Sequence, residues 1–121
     1  MITKIDKNEE RKIRARRQND IKGSKDKPRL VVYRSLSNVY AQLVNDDKGE
    51  TILSCNTLQP AIEKLVKGKT KKEAAFIVGE QLAKLAVAKK ITKCVFDRNG
   101  YIYHGRIQQV AEGARKGGLV F

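Results

Sequence analysis

The breaker-rich run Gly23-Ser24-Lys25-Asp26-Lys27-Pro28 divides this chain into a stretch that cannot build a core and one that can. Between Arg11 and Arg34 ten Lys or Arg stand against two acids, Asp20 and Asp26. With so few apolar residues to bury, the upstream part cannot offset the entropy of ordering, so it is expected to order only when an anionic partner neutralises it. Asn8-Glu9-Glu10 followed by good helix formers from Lys12 to Gln18 predicts a helical piece there, marginal on its own. The expected organisation is a basic arm over residues 1–27 and one globular unit over residues 28–121.

Within that unit the periodicity predicts α/β architecture. Leu30-Val31-Val32-Tyr33, Val39 to Val44 and Thr51 to Cys55 are β-branched or alternating runs separated by short turns, which predicts a three-strand antiparallel meander; Gly49 supplies positive φ in the second turn. Pro60 to Val66 is a short helix closed by Gly68. Thr70-Lys71-Lys72-Glu73 is a capping-box pattern opening a longer helix to about Lys89, with Ala75, Val78, Gly79, Leu82 and Ala86 on one face, and Gly79 suggests close approach to the sheet. Cys94-Val95-Phe96 is short and wholly apolar, as expected of a strand covered on both faces at the sheet centre. Asp97 to Gly100 is a turn, Tyr101-Ile102-Tyr103 a short strand, and Ile107, Val110, Ala111 and Ala114 mark a last helix ended by Gly117-Gly118. The expected fold is a single layered domain with a mixed sheet: three antiparallel strands, then helix, strand, helix.

The formal net charge of +13 favours a polyanionic partner, bound with counterion release, over a membrane surface. No segment approaches the length needed to span a bilayer and the N-terminus has no signal-like apolar run, so a cytoplasmic location is expected. Cys55 and Cys94 lack metal-ligand spacing and are expected to be reduced, buried thiols; no metal or other cofactor is expected.

Three clusters carry the functional reading. In the arm, Arg11, Lys12, Arg14, Arg16 and Arg17 offer guanidinium forks and charge suited to phosphates and unpaired bases, with Lys22 and Lys25 adding charge. On the predicted strands, Arg29, Arg34, Tyr40 and Gln42 can partly share a sheet face beside the arm's exit, and Ser35 offers a hydroxyl; Tyr33 and Tyr40 fit either base stacking or half-buried sheet packing. In the third cluster, Arg98, Tyr103, His104 and Arg106 suit the positioning of RNA. A catalytic reading of that cluster fails for want of a nucleophile beside His104, the only histidine, and of further carboxylates beside Asp97.

Arg29-Leu30-Val31-Val32-Tyr33-Arg34-Ser35, Val39-Tyr40-Ala41-Gln42, Val95 to Tyr101 and Tyr103-His104-Gly105-Arg106 together resemble the bacterial large-subunit ribosomal protein eighteen family, and the resemblance runs through the arginine-rich start and the Ala114 to Phe121 ending. It implies a ribonuclease-H-like mixed sheet without catalysis, whose likeness to a nuclease fold carries no enzyme function with it. It also implies a ribosomal role in the cytoplasm: binding 5S rRNA and helping attach it to 23S rRNA in the central protuberance, beside neighbouring large-subunit proteins, with a monomer expected when free. A nonspecific RNA chaperone and an RNase-H-like nuclease are the alternatives. The chain departs from the family where Cys55-Asn56-Thr57 replaces Ala-Ser-Thr, which bears on the RNA contacts implied at Asn56 and Thr57. It departs again where Lys90 replaces a helix-ending glycine, asking that residue or a neighbour to adopt a glycine-like conformation.

Overall fold

In the computed structural model, which describes residues 21–121, the period-two pattern becomes β1 (Arg29–Arg34), β2 (Val39–Asn45) and β3 (Glu50–Asn56). They pair antiparallel as a meander, Arg29 opposite Val44 and Tyr40 opposite Asn56. Gly49 makes the β2–β3 turn at φ 62°. The helices follow as α1 (Pro60–Val66), α2 (Lys71–Ala88) and α3 (Arg106–Lys116), with β4 (Val95–Asp97) between the last two. β4 runs parallel to β1, giving the mixed order β3-β2-β1-β4.

The helices cover one sheet face. Leu30, Val32, Val39, Ala41 and Leu43 meet Val78, Leu82 and Ala86 of α2 and Ile107, Val110 and Ala114 of α3 in one buried cluster. Each large aliphatic side chain buried there contributes about 1.5–3 kcal/mol. At the start of α2 the Thr70 hydroxyl accepts the Glu73 amide at 3.2 Å, while the Glu73 carboxylate accepts the Thr70 hydroxyl proton at 3.1 Å. The cap is thus a closed side-chain pair in which the carboxylate takes the hydroxyl, where the sequence pattern predicts that it takes an amide.

Three expectations are corrected. β4 lies at the sheet edge. Its apolar character is met instead by the chain's end: Phe121 stacks on Phe96 at 5.6 Å, and Val120 bridges to Lys93 in parallel. Tyr101-Ile102-Tyr103 forms no strand, because Asn99 and Gly100 both take positive φ and the Tyr101 amide turns back onto the Arg98 carbonyl at 3.0 Å. Gly79 approaches α3, not the sheet: a Cβ there would press into the Val110 carbonyl. Both cysteines are free and buried, as expected, and burial raises both thiols, Cys94 to about 12.

Candidate nucleic-acid interface

Strand parity decides which side chains share the sheet face that the helices leave open. In β1 the core residues Leu30 and Val32 alternate with Arg29, Val31 and Tyr33; in β2, Val39, Ala41 and Leu43 alternate with Tyr40, Gln42 and Val44. The register sets Tyr33 beside Tyr40, Val31 beside Gln42, and Asn56 on the far side of Tyr40. Tyr33 is 48% exposed and Tyr40, Gln42 and Asn56 are half-buried, so the open face presents two rings and two amides.

Arg29 belongs to this face but is not a spare cation. Its guanidinium donates to both oxygens of Asp46, at 3.0 and 3.1 Å, and to Asp97 at 2.7 Å. The hydrogen bond from Arg29 is the main reason that the Asp46 carboxyl lies below its ordinary value; the Gly23 amide, 2.6 Å from Asp46 Oδ2, adds to the effect. In return the Arg29 pKa is raised above its ordinary value, chiefly by its hydrogen bond to Asp46. The Gly23 carbonyl accepts the Asp46 amide at 3.0 Å. Asp46 therefore ties the segment leading out of the arm to β1. Asp97 is equally committed, since its other oxygen accepts the Asn99 amide at 2.8 Å. A metal-dependent nuclease would need that carboxylate turned toward other ligands, and no cluster of three metal-ligating side chains exists among the described residues.

Arg34 has the opposite parity and leaves the sheet at the far end of β1. Its guanidinium lies 5.2 Å from the centre of the Tyr101 ring. Arg106, the first residue of α3, reaches the same place and donates to the Ser35 carbonyl at 2.8 Å. Burial lowers the Arg106 pKa, and the neighbouring charge of Arg34 lowers it further. Among the described residues, two guanidinium groups and a ring are thus held together without a carboxylate between them, the reverse of the arrangement at Arg29.

The remaining predicted residues divide by what their polar atoms already do. The Ser35 hydroxyl closes its own turn with Asn38, accepting the Asn38 amide at 3.1 Å. Asn56 accepts the Leu58 amide at 2.9 Å in a similar turn. Thr57 is 7% exposed; its hydroxyl accepts the Val39 amide and donates to Asn38 at 2.7 Å, so it braces the β2–β3 end rather than facing outward. Tyr103 packs edge-on to Phe96 at 6.1 Å, with its hydroxyl accepting from Arg115 at 3.3 Å. Lys22, Lys25 and His104 are exposed and Arg98 is half-buried. Arg11, Lys12, Arg14, Arg16 and Arg17 lie outside the described residues. Tyr101 joins the site although the sequence pattern does not single it out; the only signal for its ring under Arg34 is an aromatic placed at the turn after β4.

The family described as ribosomal L18 of archaea, bacteria, mitochondria and chloroplasts matches residues 2–121. The chain belongs to the ribosomal L18 family. It is similar to the large ribosomal subunit protein uL18 of Chlorobium phaeobacteroides, 50% identical over 99% of this chain and all of that protein. The uL18 of Clostridioides difficile is 48% identical over the full length of both, and that of Lactiplantibacillus plantarum 51% identical over the same extent. The L18 match covers the arm, the open face and the Arg34–Arg106 corner alike.

Proposed function

We propose that this L18-family chain, a structural, non-enzymatic protein of the large subunit of the cytoplasmic ribosome, binds 5S rRNA and helps fasten it to 23S rRNA in the central protuberance. The observation that carries the RNA-binding part is the corner of Arg34, Tyr101 and Arg106. Like charges held side by side without a counter-ion disfavour each other until a phosphate lies between them, and a ring beside them offers a stacking surface. The open face, on the opposite strand parity to Arg34, adds a separate surface of Tyr33, Tyr40, Gln42 and Asn56. Arg11, Lys12, Arg14, Arg16 and Arg17 of the arm, with Lys22, supply the sequence-independent part of the grip. Arg98 and His104 flank the corner through the β4–α3 loop. Neighbouring ribosomal proteins complete the assembled site, and the free protein is a monomer.

Competition binding tests the specificity. Labelled 5S rRNA bound to the full chain should be displaced by unlabelled 5S rRNA at far lower concentration than by tRNA. Equal displacement would mean a general RNA chaperone and would end the 5S assignment.

A further inference from the structure

A second cationic surface stands at the other end of the sheet. Arg34 and Arg106 lie where β1 ends, whereas the N-terminal end of β1, the β2–β3 turn and the C-terminus of α2 border a concavity of about 380 Å³. Six residues of strand at about 3.3 Å each separate the two ends by roughly 20 Å. Five lysines from separate parts of the chain line this concavity: Lys25 before β1, Lys48 in the β2–β3 turn, Lys89 and Lys90 at the end of α2, and Lys93 before β4. Asp26 and Glu50 are the acids there, leaving an excess of positive charge. Among the described residues none of the five lysines is in an ion pair.

The shape is built as well as charged. The register of β2 and β3 shifts between Leu43 and Val44, so that Leu43 faces Leu53 and Val44 faces Thr51, and Ile52 is left without a partner as the bulged residue. Ile52 and Ile91 line the concavity between the lysines. A bulge re-aims a side chain out of the regular alternation. The helix dipole accounts for a cation beside the end of α2, but not for Lys25, Lys48 and Lys93 converging on the same hollow from three other segments.

We propose that this lysine-lined hollow is a second RNA-binding surface, taking the phosphodiester backbone of a segment distinct from the one held at the Arg34–Arg106 corner, so that the domain braces two backbones from the two ends of its sheet. The apolar floor suits the ribose face between successive phosphates, and flexible ammonium groups suit phosphates that need no bidentate geometry. The inference rests on the rRNA-binding reading above and adds to it where the second strand lies.

The test is a triple variant of the full chain, Lys48→Gln, Lys89→Gln and Lys93→Gln, compared with an equal-charge control, Lys64→Gln, Lys67→Gln and Lys72→Gln. Binding is measured against a mixture of 5S and 23S rRNA transcripts over a salt series, after thermal melts establish that each variant folds. The hollow variant should bind about tenfold or more weakly, and its slope of log affinity against log salt should fall by about two to three, one for every phosphate that is no longer neutralised. The control should change the slope much less. In the wild-type complex Lys48, Lys89 and Lys93 should resist acetylation, read by mass spectrometry, which also decides the matter if the variant does not fold. Unchanged affinity and slope, an equal effect of the control, or undiminished acetylation would overturn the proposal. Failure of the rRNA-binding reading itself would appear differently, as wild-type protein that does not prefer 5S rRNA over tRNA.

Discussion

Gly79 of α2 and Gly113 of α3 face each other across the helix crossing, each lying against the backbone of the other helix. A Cβ at Gly79 would press into the Val110 carbonyl, and one at Gly113 into the Phe76 carbonyl. The pair lets α2 and α3 pack as a single layer over β1 and β2, and so fixes where Arg106, at the start of α3, meets Arg34.

Replacing either glycine by alanine should therefore destabilise the protein. Alanine gains about 1 kcal/mol of helix propensity, but overpacking against rigid backbone costs typically about 1–3 kcal/mol and more where nothing can yield. We expect a net loss of at least about 1 kcal/mol for Gly113→Ala, read from urea denaturation. A midpoint at or above the wild type would show that the helices can separate cheaply.

Lys90 should be improved by glycine. α2 and α3 end in the same hydrogen-bond pattern: Ile91 N–H to the Ala86 carbonyl and Lys90 N–H to Val87 in one, Leu119 N–H to Ala114 and Gly118 N–H to Arg115 in the other. α3 places Gly118 at the positive-φ position, while α2 forces Lys90 there at φ 66°. The left-handed conformation costs an L-residue about 1–2 kcal/mol, and glycine gives back about 0.5–1 kcal/mol in backbone entropy. Lys90→Gly should stabilise the free protein by about 0.5–1 kcal/mol in the same denaturation assay; a loss would refute the strain.

Asp46 gives acid stability a specific source. Its folded pKa lies below the ordinary 3.8, first because of the hydrogen bond from Arg29. A depressed carboxyl contributes stability that is fully present above the unfolded pKa and disappears as pH falls through the folded value. Arg29, raised above its ordinary value, stays charged throughout that window. Asp46→Asn should cost about 1–2 kcal/mol at neutral pH, and the deficit should shrink progressively below about pH 4. Denaturation curves between neutral pH and about pH 2.5 check it; a deficit independent of pH would assign the loss to packing instead.

Removing residues 1–20 should leave the body folded, because Gly23, Asp46 and Arg29 remain joined. Affinity for 5S rRNA should fall steeply, and the salt dependence should flatten by roughly one unit for each phosphate that the arm had neutralised. Circular dichroism and filter binding over a salt series measure both halves. Unchanged affinity would exclude the arm from the interface.

Much of the fold is readable from residue order. The meander, both longer helices and their stops follow from periodicity and from Thr70, Gly49 and Gly117-Gly118, each of which acts locally. What local patterns do not carry is the origin of burial. Val95-Phe96 reads as central, yet Phe96 is covered by Phe121 and Tyr103, which arrive from elsewhere. Tyr101 and Tyr103 read as strand because aromatic residues favour sheets, but their rings are used against Arg34 and Phe96 with no ladder to join. Among the site residues, charge alone does not separate Arg29, locked to Asp46 and Asp97, from Arg34 and Arg106, which have no such partner among the described residues; only side-chain geometry does.

The parallel pairing of β1 with β4 also sets an order of events. β1, β2 and β3 can zip together from neighbouring sequence, but one flank of β1 waits until Val95 arrives beside Arg29, after the whole of α2 has been made. Until then an unpaired row of amides and carbonyls is open to any passing strand. A nascent chain halted before β4 is consequently the form of this molecule most prone to clump.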